Sequence, residues 1–155
     1  MNERSPYPLS NLETHLGYWL RRISNHVSGT FARALQDRQF TVAEWVALRQ
    51  LYDHSDIASA ELATRLGMTR GAISKVLDKL EAKGLIERVT RPEDKRSQRL
   101  SLTLQGQRIL PELAELADHN DQYFFSCLST AEQEQLARLM RKISQAHQWN
   151  DVPID

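Results

Sequence analysis

Apolar residues recur at helical spacing in six stretches of this chain and at strand spacing in one short region between them. From Ser10 to Gln36, the residues Leu12, Leu16, Leu20, Ile23, Val27, Phe31 and Leu35 lie three or four apart. That spacing predicts one long amphipathic helix of about seven turns. A second helix is expected over Thr41–Asp53, with Thr41 and Glu44 spaced as a capping box and Val42, Trp45, Val46 and Leu48 supplying apolar surface. A short extended piece, 56–58, is placed to pair with later strands. Ser59 to Met68 forms a short helix with Leu62, Ala63 and Leu66 inward and Ser59 as its expected N-cap. Gly67 opens a tight turn into Thr69, which caps the next helix. There Ile73, Val76, Leu77 and Leu80 make the apolar face, while Gly71, Lys75, Asp78 and Ala82 lie roughly opposite. Gly84 ends it, because glycine takes the left-handed conformation cheaply and lets Leu85 fold back.

After Gly84 the rhythm changes. Leu85–Thr90 and Arg99–Leu104 read as strands around a charged turn, with Leu100, Leu102 and Leu104 alternating with Ser101 and Thr103. Thr103 is expected to cap a helix running to about Leu128, with Pro111 marking either its first regular bonds or a bend. A second capping box, Ser129 with Glu132, opens a last helix to about His147, striped by Leu136, Leu139, Met140 and Ile143. The residues up to Pro8 and from Asn150 onward read as loosely ordered. The expected fold is mainly α, an α+β winged helix of six helices with a two- or three-stranded β-wing. One domain spans 1–155. Residues 41–103 form the winged helix-turn-helix lobe, and 1–36 with 104–149 form dimerisation helices. The first and last helices bring more apolar face than so small a lobe can bury, so either a two-fold partner or a monomeric bundle must cover it.

Charge refines this picture. The chain has 155 residues and no net charge, but residues 69–108 carry ten Lys/Arg against five Asp/Glu, and 109–155 carry three against eight. The positive excess falls on the helix after Gly67 and on the hairpin. Small residues at the start of that helix, flanked by Arg70, Ser74 and Lys75, suit entry into a DNA major groove. No apolar run is of transmembrane length, and the N-terminus lacks a signal peptide's apolar region, so a cytoplasmic location is expected. A single cysteine excludes an intramolecular disulfide. No cysteine cluster or paired histidines suggest a metal, no cofactor motif is present, and no nucleophile–base pair suggests an enzyme.

Several blocks, in order and spacing, carry a resemblance: S-x-E-L-A-x-R-L-G-M-T-R, L-D-K-L-E-A-K-G-L-I-E-R, P-E-D-K-R and L-S-L-T, within residues 58–106. They resemble the multiple-antibiotic-resistance regulator (MarR) family. Gln39 stands where a glycine is usual in that family, and Ala58 where a capping Ser or Thr is common. The resemblance implies a homodimer joined by its terminal helices, which binds a pseudo-palindromic double-stranded DNA operator, most simply as a repressor. Thr69, Arg70, Gly71, Ala72, Ser74 and Lys75 would approach base edges and adjacent phosphates, with Lys79 on phosphate. In the wing, Arg96 would enter the minor groove, oriented by Asp94, while Arg91, Lys95 and Arg99 would meet the backbone. For Asp78, a local pair with Lys75 is expected.

A stripe of His15, Trp19, Arg22 and His26 on the first helix, with Trp45 and Arg49 on the second, offers two readings. It can line a pocket for a small aromatic or phenolic effector, or it can be packing with partly solvated charges. Cys127 is expected to be a buried inert thiol, with a redox-sensing role as the alternative. The alternative to DNA binding is a winged-helix module for protein contacts.

Overall fold

The computed structural model describes residues 7–90, 92–93 and 98–154. Among these, a 3-10 turn at Leu12–Thr14 precedes six helices: α1 (Leu16–Asp37), α2 (Val42–Asp53), α3 (Ser59–Arg65), α4 (Arg70–Ala82), α5 (Leu104–Phe125) and α6 (Thr130–Ala146). Strands β1 (Ile57–Ala58), β2 (Ile86–Thr90) and β3 (Gln98–Leu102) form an antiparallel sheet in the order β1-β3-β2. The extended piece before α3 therefore does pair with the wing, Ile57 standing opposite Leu100. This is the mainly α winged helix that the periodicity calls for.

The core sits in the lobe. Leu48 and Leu51 of α2, Leu62 of α3, Ile73, Leu77 and Leu80 of α4, and Leu100 of β3 are all buried. Leu35 from the end of α1 and Leu110 and Leu113 from the start of α5 close it from above. Higher up, the Asn120 side-chain amide donates to the Val27 carbonyl at 3.1 Å and ties α5 to α1.

Two of the corners share one device. At the end of α4, Leu85 N–H donates to Leu80 O and Gly84 N–H to Glu81 O, with Gly84 at φ +72°. This closes the last orphan carbonyls in a Schellman arrangement. At the end of α1, Phe40 donates to Leu35 O and Gln39 to Gln36 O, but there the left-handed position holds Gln39 at φ 64°. A side chain in that region costs about 1 kcal/mol or more. Gln39→Gly should therefore stabilise the fold by about 0.5–1 kcal/mol, the remainder being lost to the looser unfolded chain. Urea unfolding checks this, and a lower midpoint for the variant would show that the Gln39 side chain contributes more than its backbone strain removes.

Several local expectations need correction. The first helix is interrupted at His15, because Thr14 Oγ1 donates to Asn11 O at 2.6 Å and the His15 ring lies 3.2 Å from the same carbonyl. Side chains that satisfy nearby backbone groups compete with the helical ladder. Ser59 is not the cap of α3: Ala58 occupies that position and supplies no side-chain bond. Thr41 does cap α2, accepting from Glu44 N–H, but the Glu44 carboxylate is drawn away to Lys83 and no reciprocal box forms. Pro111 lies inside α5, which already starts at Leu104. The tail after Asn150 is docked: Val152 N–H donates to Arg65 O at 3.0 Å, and Val152 and Ile154 pack against the core. Cys127 is exposed, not buried, its thiol directed at Phe124 O.

Candidate nucleic-acid interface

Helix α4 presents two unlike faces. Ile73, Leu77 and Leu80 are buried, whereas Thr69, Arg70, Gly71, Ser74, Lys75 and Lys79 are exposed and Ala72 is half-buried. Thr69 Oγ1 accepts from Ala72 N–H at 3.1 Å, which fixes the first turn. A Cβ built on Gly71 meets nothing within 4 Å, so the protein's own packing does not require a glycine there. What the small residue leaves is room for an approaching molecule. Among the described residues no ion pair engages Arg70, Lys75 or Lys79. The first turn of α4 is thus capped and small, with cations on either side of the gap that no ion pair engages among the described residues.

In the wing, β2 and β3 pair from Ile86–Leu102 to Thr90–Gln98. Arg91, Asp94, Lys95 and Arg96 lie outside the described residues. Arg99 is engaged elsewhere: its guanidinium lies 3.3 Å from Asp56 Oδ2 and ties β3 to the turn before β1. Asp78 does not pair with Lys75 but receives Arg88 Nη2 at 2.6 Å. Arg88, ten positions on, reaches it because β2 places Arg88 opposite the buried Leu100, on the face of the sheet turned to the core.

The proposed effector residues divide. His15, Arg22 and His26 line an open groove of about 850 Å³ along α1, with Leu12, Tyr18 and Arg21. Arg22 donates to the Tyr18 hydroxyl at 3.1 Å and lies 5.9 Å from the Trp19 ring centre. Trp19 itself is 41% exposed and directs its indole N–H at Glu13 O. Trp45 instead packs edge-on against Phe31, their ring centres 6.4 Å apart, and Arg49 pairs with Asp53 at 3.2 Å and stacks near Tyr52.

The terminal helices are left largely bare. No residue of α6 is buried, and α1 buries only Leu35. Leu12, Leu16, Leu20, Ile23, Leu139, Met140 and Ile143 remain exposed. The protomer exposes 11926 Å², whereas a compact monomer of 17.9 kDa is expected to expose about 8,000 Å².

Two short helices meeting at a tight turn, followed by a β-hairpin and flanked by long bare helices, define a winged helix-turn-helix transcription regulator. The comparisons with known proteins agree. Residues 40–98 match the MarR family. An uncharacterised HTH-type transcriptional regulator of Bacillus cereus is 30% identical over 141 residues, covering 87% of this chain and 92% of that protein. Among solved structures, BpsR of Bordetella bronchiseptica, whose DNA binding is regulated by 6-hydroxynicotinic acid, superposes with a TM-score of 0.74 at 26% identity, over 90% of this chain and 98% of that one. PcaV of Streptomyces coelicolor, a transcriptional regulator solved with its natural ligand, gives 0.74 at 25% identity, over 91% and 99%. The chain belongs to the MarR family, and with it to the transcription regulators rather than the enzymes. Among the described residues, no helix is long and apolar enough to cross a membrane.

Proposed function

We propose that the protein is a cytoplasmic repressor that binds a pseudo-palindromic operator as a homodimer and is released from it by a small hydroxylated aromatic acid. The observation that carries the DNA-binding reading is the first turn of α4. Thr69, Arg70, Gly71, Ala72, Ser74 and Lys75 are gathered there around a gap that no described residue fills within 4 Å of a Cβ built on Gly71. Arg70 and Lys75 donate to base edges, Lys79, Arg91 and Lys95 meet phosphate, and Arg96, oriented by Asp94, enters the adjacent minor groove. The second copy is supported by the excess surface and by the bare stripes on α1 and α6. An obligate interface commonly buries 2,000 Å² or more, which this excess accommodates. For the effector, Arg22 offers a cation, His15 and His26 offer ring nitrogens, and Tyr18 an aromatic wall, which suits a carboxylate on a flat ring. BpsR, whose DNA binding is regulated by 6-hydroxynicotinic acid, supports that class of molecule.

The test is a binding titration on duplex DNA taken from beside the protein's own gene. Affinity should fall steeply as salt rises, because each neutralised phosphate releases counterions. Adding 6-hydroxynicotinic acid or a related acid should weaken the complex in wild type and not in Arg22→Ala. A salt-independent affinity, or none above that for random duplex, would overturn the reading in favour of a protein-contact module.

A further inference from the structure

Strand β2 carries its polarity inverted. Arg88 stands opposite Leu100, and Val89 opposite Arg99. Directly opposed residues share a face. Leu100 is fully buried, so Arg88 lies on the core face, while Val89 on the other face is 54% exposed. A strand that only had to cover the core would turn the valine inward and the arginine outward. Instead the Arg88 side chain, 14% exposed, is gripped by two carboxylates one turn apart on α4. Its Nη2 donates to Asp78 Oδ1 at 2.6 Å, and its Nε lies 3.5 Å from Glu81 Oε2. Nε is buried and makes no hydrogen bond, so the Glu81 contact is an ionic one only.

Stability does not explain this arrangement. An apolar side chain of similar volume serves about as well on a core face, because desolvating the guanidinium offsets most of what pairing with the exposed Asp78 and Glu81 carboxylates returns. What the guanidinium adds is direction. Ile73, Leu77 and Leu80 hold α4 against the lobe through contacts that depend on area, not on angle. Such contacts let a helix roll. A charge-assisted grip on two carboxylates does not. The elements it joins are the two that DNA would meet, the helix in the major groove and the hairpin in the minor.

We infer that Arg88 is a positioning residue for DNA recognition, fixing the roll of α4 relative to the wing so that both reach the operator in register. The role rests on the DNA-binding reading above. Arg88 acts through α4 and touches no DNA itself.

Three variants separate the outcomes: Arg88→Met, Arg88→Lys, and Asp78→Asn with Glu81→Gln. For each, affinity for the operator and for a random duplex is measured alongside thermal unfolding. Arg88→Met should unfold at or above the wild-type temperature, keep its hold on random duplex, and lose about tenfold or more of its operator preference. Arg88→Lys, which keeps one charge but not the two-pronged grip, should recover only part of that preference. The Asp78/Glu81 variant is the sharper arm. It is two charges more positive and should bind any DNA more tightly, yet it should lose the same preference. If it binds the operator more tightly with preference intact, Arg88 contacts DNA directly and the positioning role fails. A preference that falls only in step with the unfolding temperature would also overturn it. Without DNA, the Arg88 Nη2–H that donates to Asp78 should give a slowly exchanging resonance in wild type that disappears in the Asp78/Glu81 variant. Its absence from wild type would remove the clamp whatever the DNA result. A wild type with that resonance but no operator preference would instead overturn the DNA-binding reading, and the positioning role with it.

Discussion

Gly106→Ala should destabilise the protein by about 3 kcal/mol and lower its thermal midpoint by about 10 °C. Gly106 sits in the first turn of α5, where that helix is pressed onto the α4–β2 corner. Its N–H donates to Thr103 Oγ1 at 3.0 Å, and the same hydroxyl donates to Gly84 O at 2.6 Å. Leu85 O accepts from Thr103 N–H at 3.0 Å. A Cβ on Gly106 would stand 2.1 Å from that carbonyl oxygen and 3.1 Å from its carbon. The obstacle is backbone, held on one side by the end of α4 and on the other by the cap of α5, so it has no rotamer to change. Relief requires α5 to lift off the lobe. Circular dichroism melts of the two proteins check this, and an unchanged midpoint would mean that the corner yields at little cost.

Lys83→Met should cost about 3 kcal/mol, the low end for leaving one member of a buried pair behind. Glu44 is 3% exposed, and its carboxylate lies 2.7 Å from Lys83 Nζ. The same ammonium donates to Gln39 O and sits 4.1 Å from the centre of the Phe40 ring. Removing it strands a carboxylate among Phe40 and the start of α2. The low end applies because Glu44 lies in the first turn of α2, where the helix dipole favours an anion. Replacing both residues, Lys83→Met with Glu44→Leu, should recover most of the loss. Urea unfolding of the single and double variants measures the coupling directly. Equal losses for the double variant and the sum of the singles would show that the pair is not coupled.

Helices α2, α4, α5 and α6 were legible because each carries an apolar stripe and a capping side chain at its start. Thr69, Thr103 and Ser129 cap where their spacing predicts, and Gly84 stops α4. The exposed face of α4 follows from the stripe, since what is not buried must face out. What was not legible depends on partners far along the chain. Glu44 reads as a capping-box acid, and only the fold brings Lys83, 39 residues on, within reach. Asp78 has a plausible cation three residues away, yet Arg88 takes it because β2 returns antiparallel beside α4. The inversion of Arg88 and Val89 was available as a warning, since a strand on a core should not place its arginine in phase with Ile86. Gly106 gave no local sign, because its constraint is the carbonyl of Leu85 across the corner. The tail misled through Pro153, which separates the two apolar residues, Val152 and Ile154, that dock it. The effector stripe joined residues of the first two helices by spacing alone, and the fold instead sets Trp45 against Phe31 and pairs Arg49 with Asp53.

The bareness of α6 has a consequence for the life of the chain in a cell. A 17-residue helix with no buried residue is held by its own hydrogen bonds and little else, and helices of that length are marginal alone. If a second copy supplies the missing cover, the free energy that keeps α6 wound is bimolecular, and it weakens as copies become scarce. A newly synthesised chain would then carry a frayed α6 until it met another, open meanwhile to proteolysis. Abundance would set survival: below a certain copy number the regulator is cleared faster than it pairs, and above it the pool persists. Such a threshold would make the level of this protein respond to its own synthesis more sharply than in proportion.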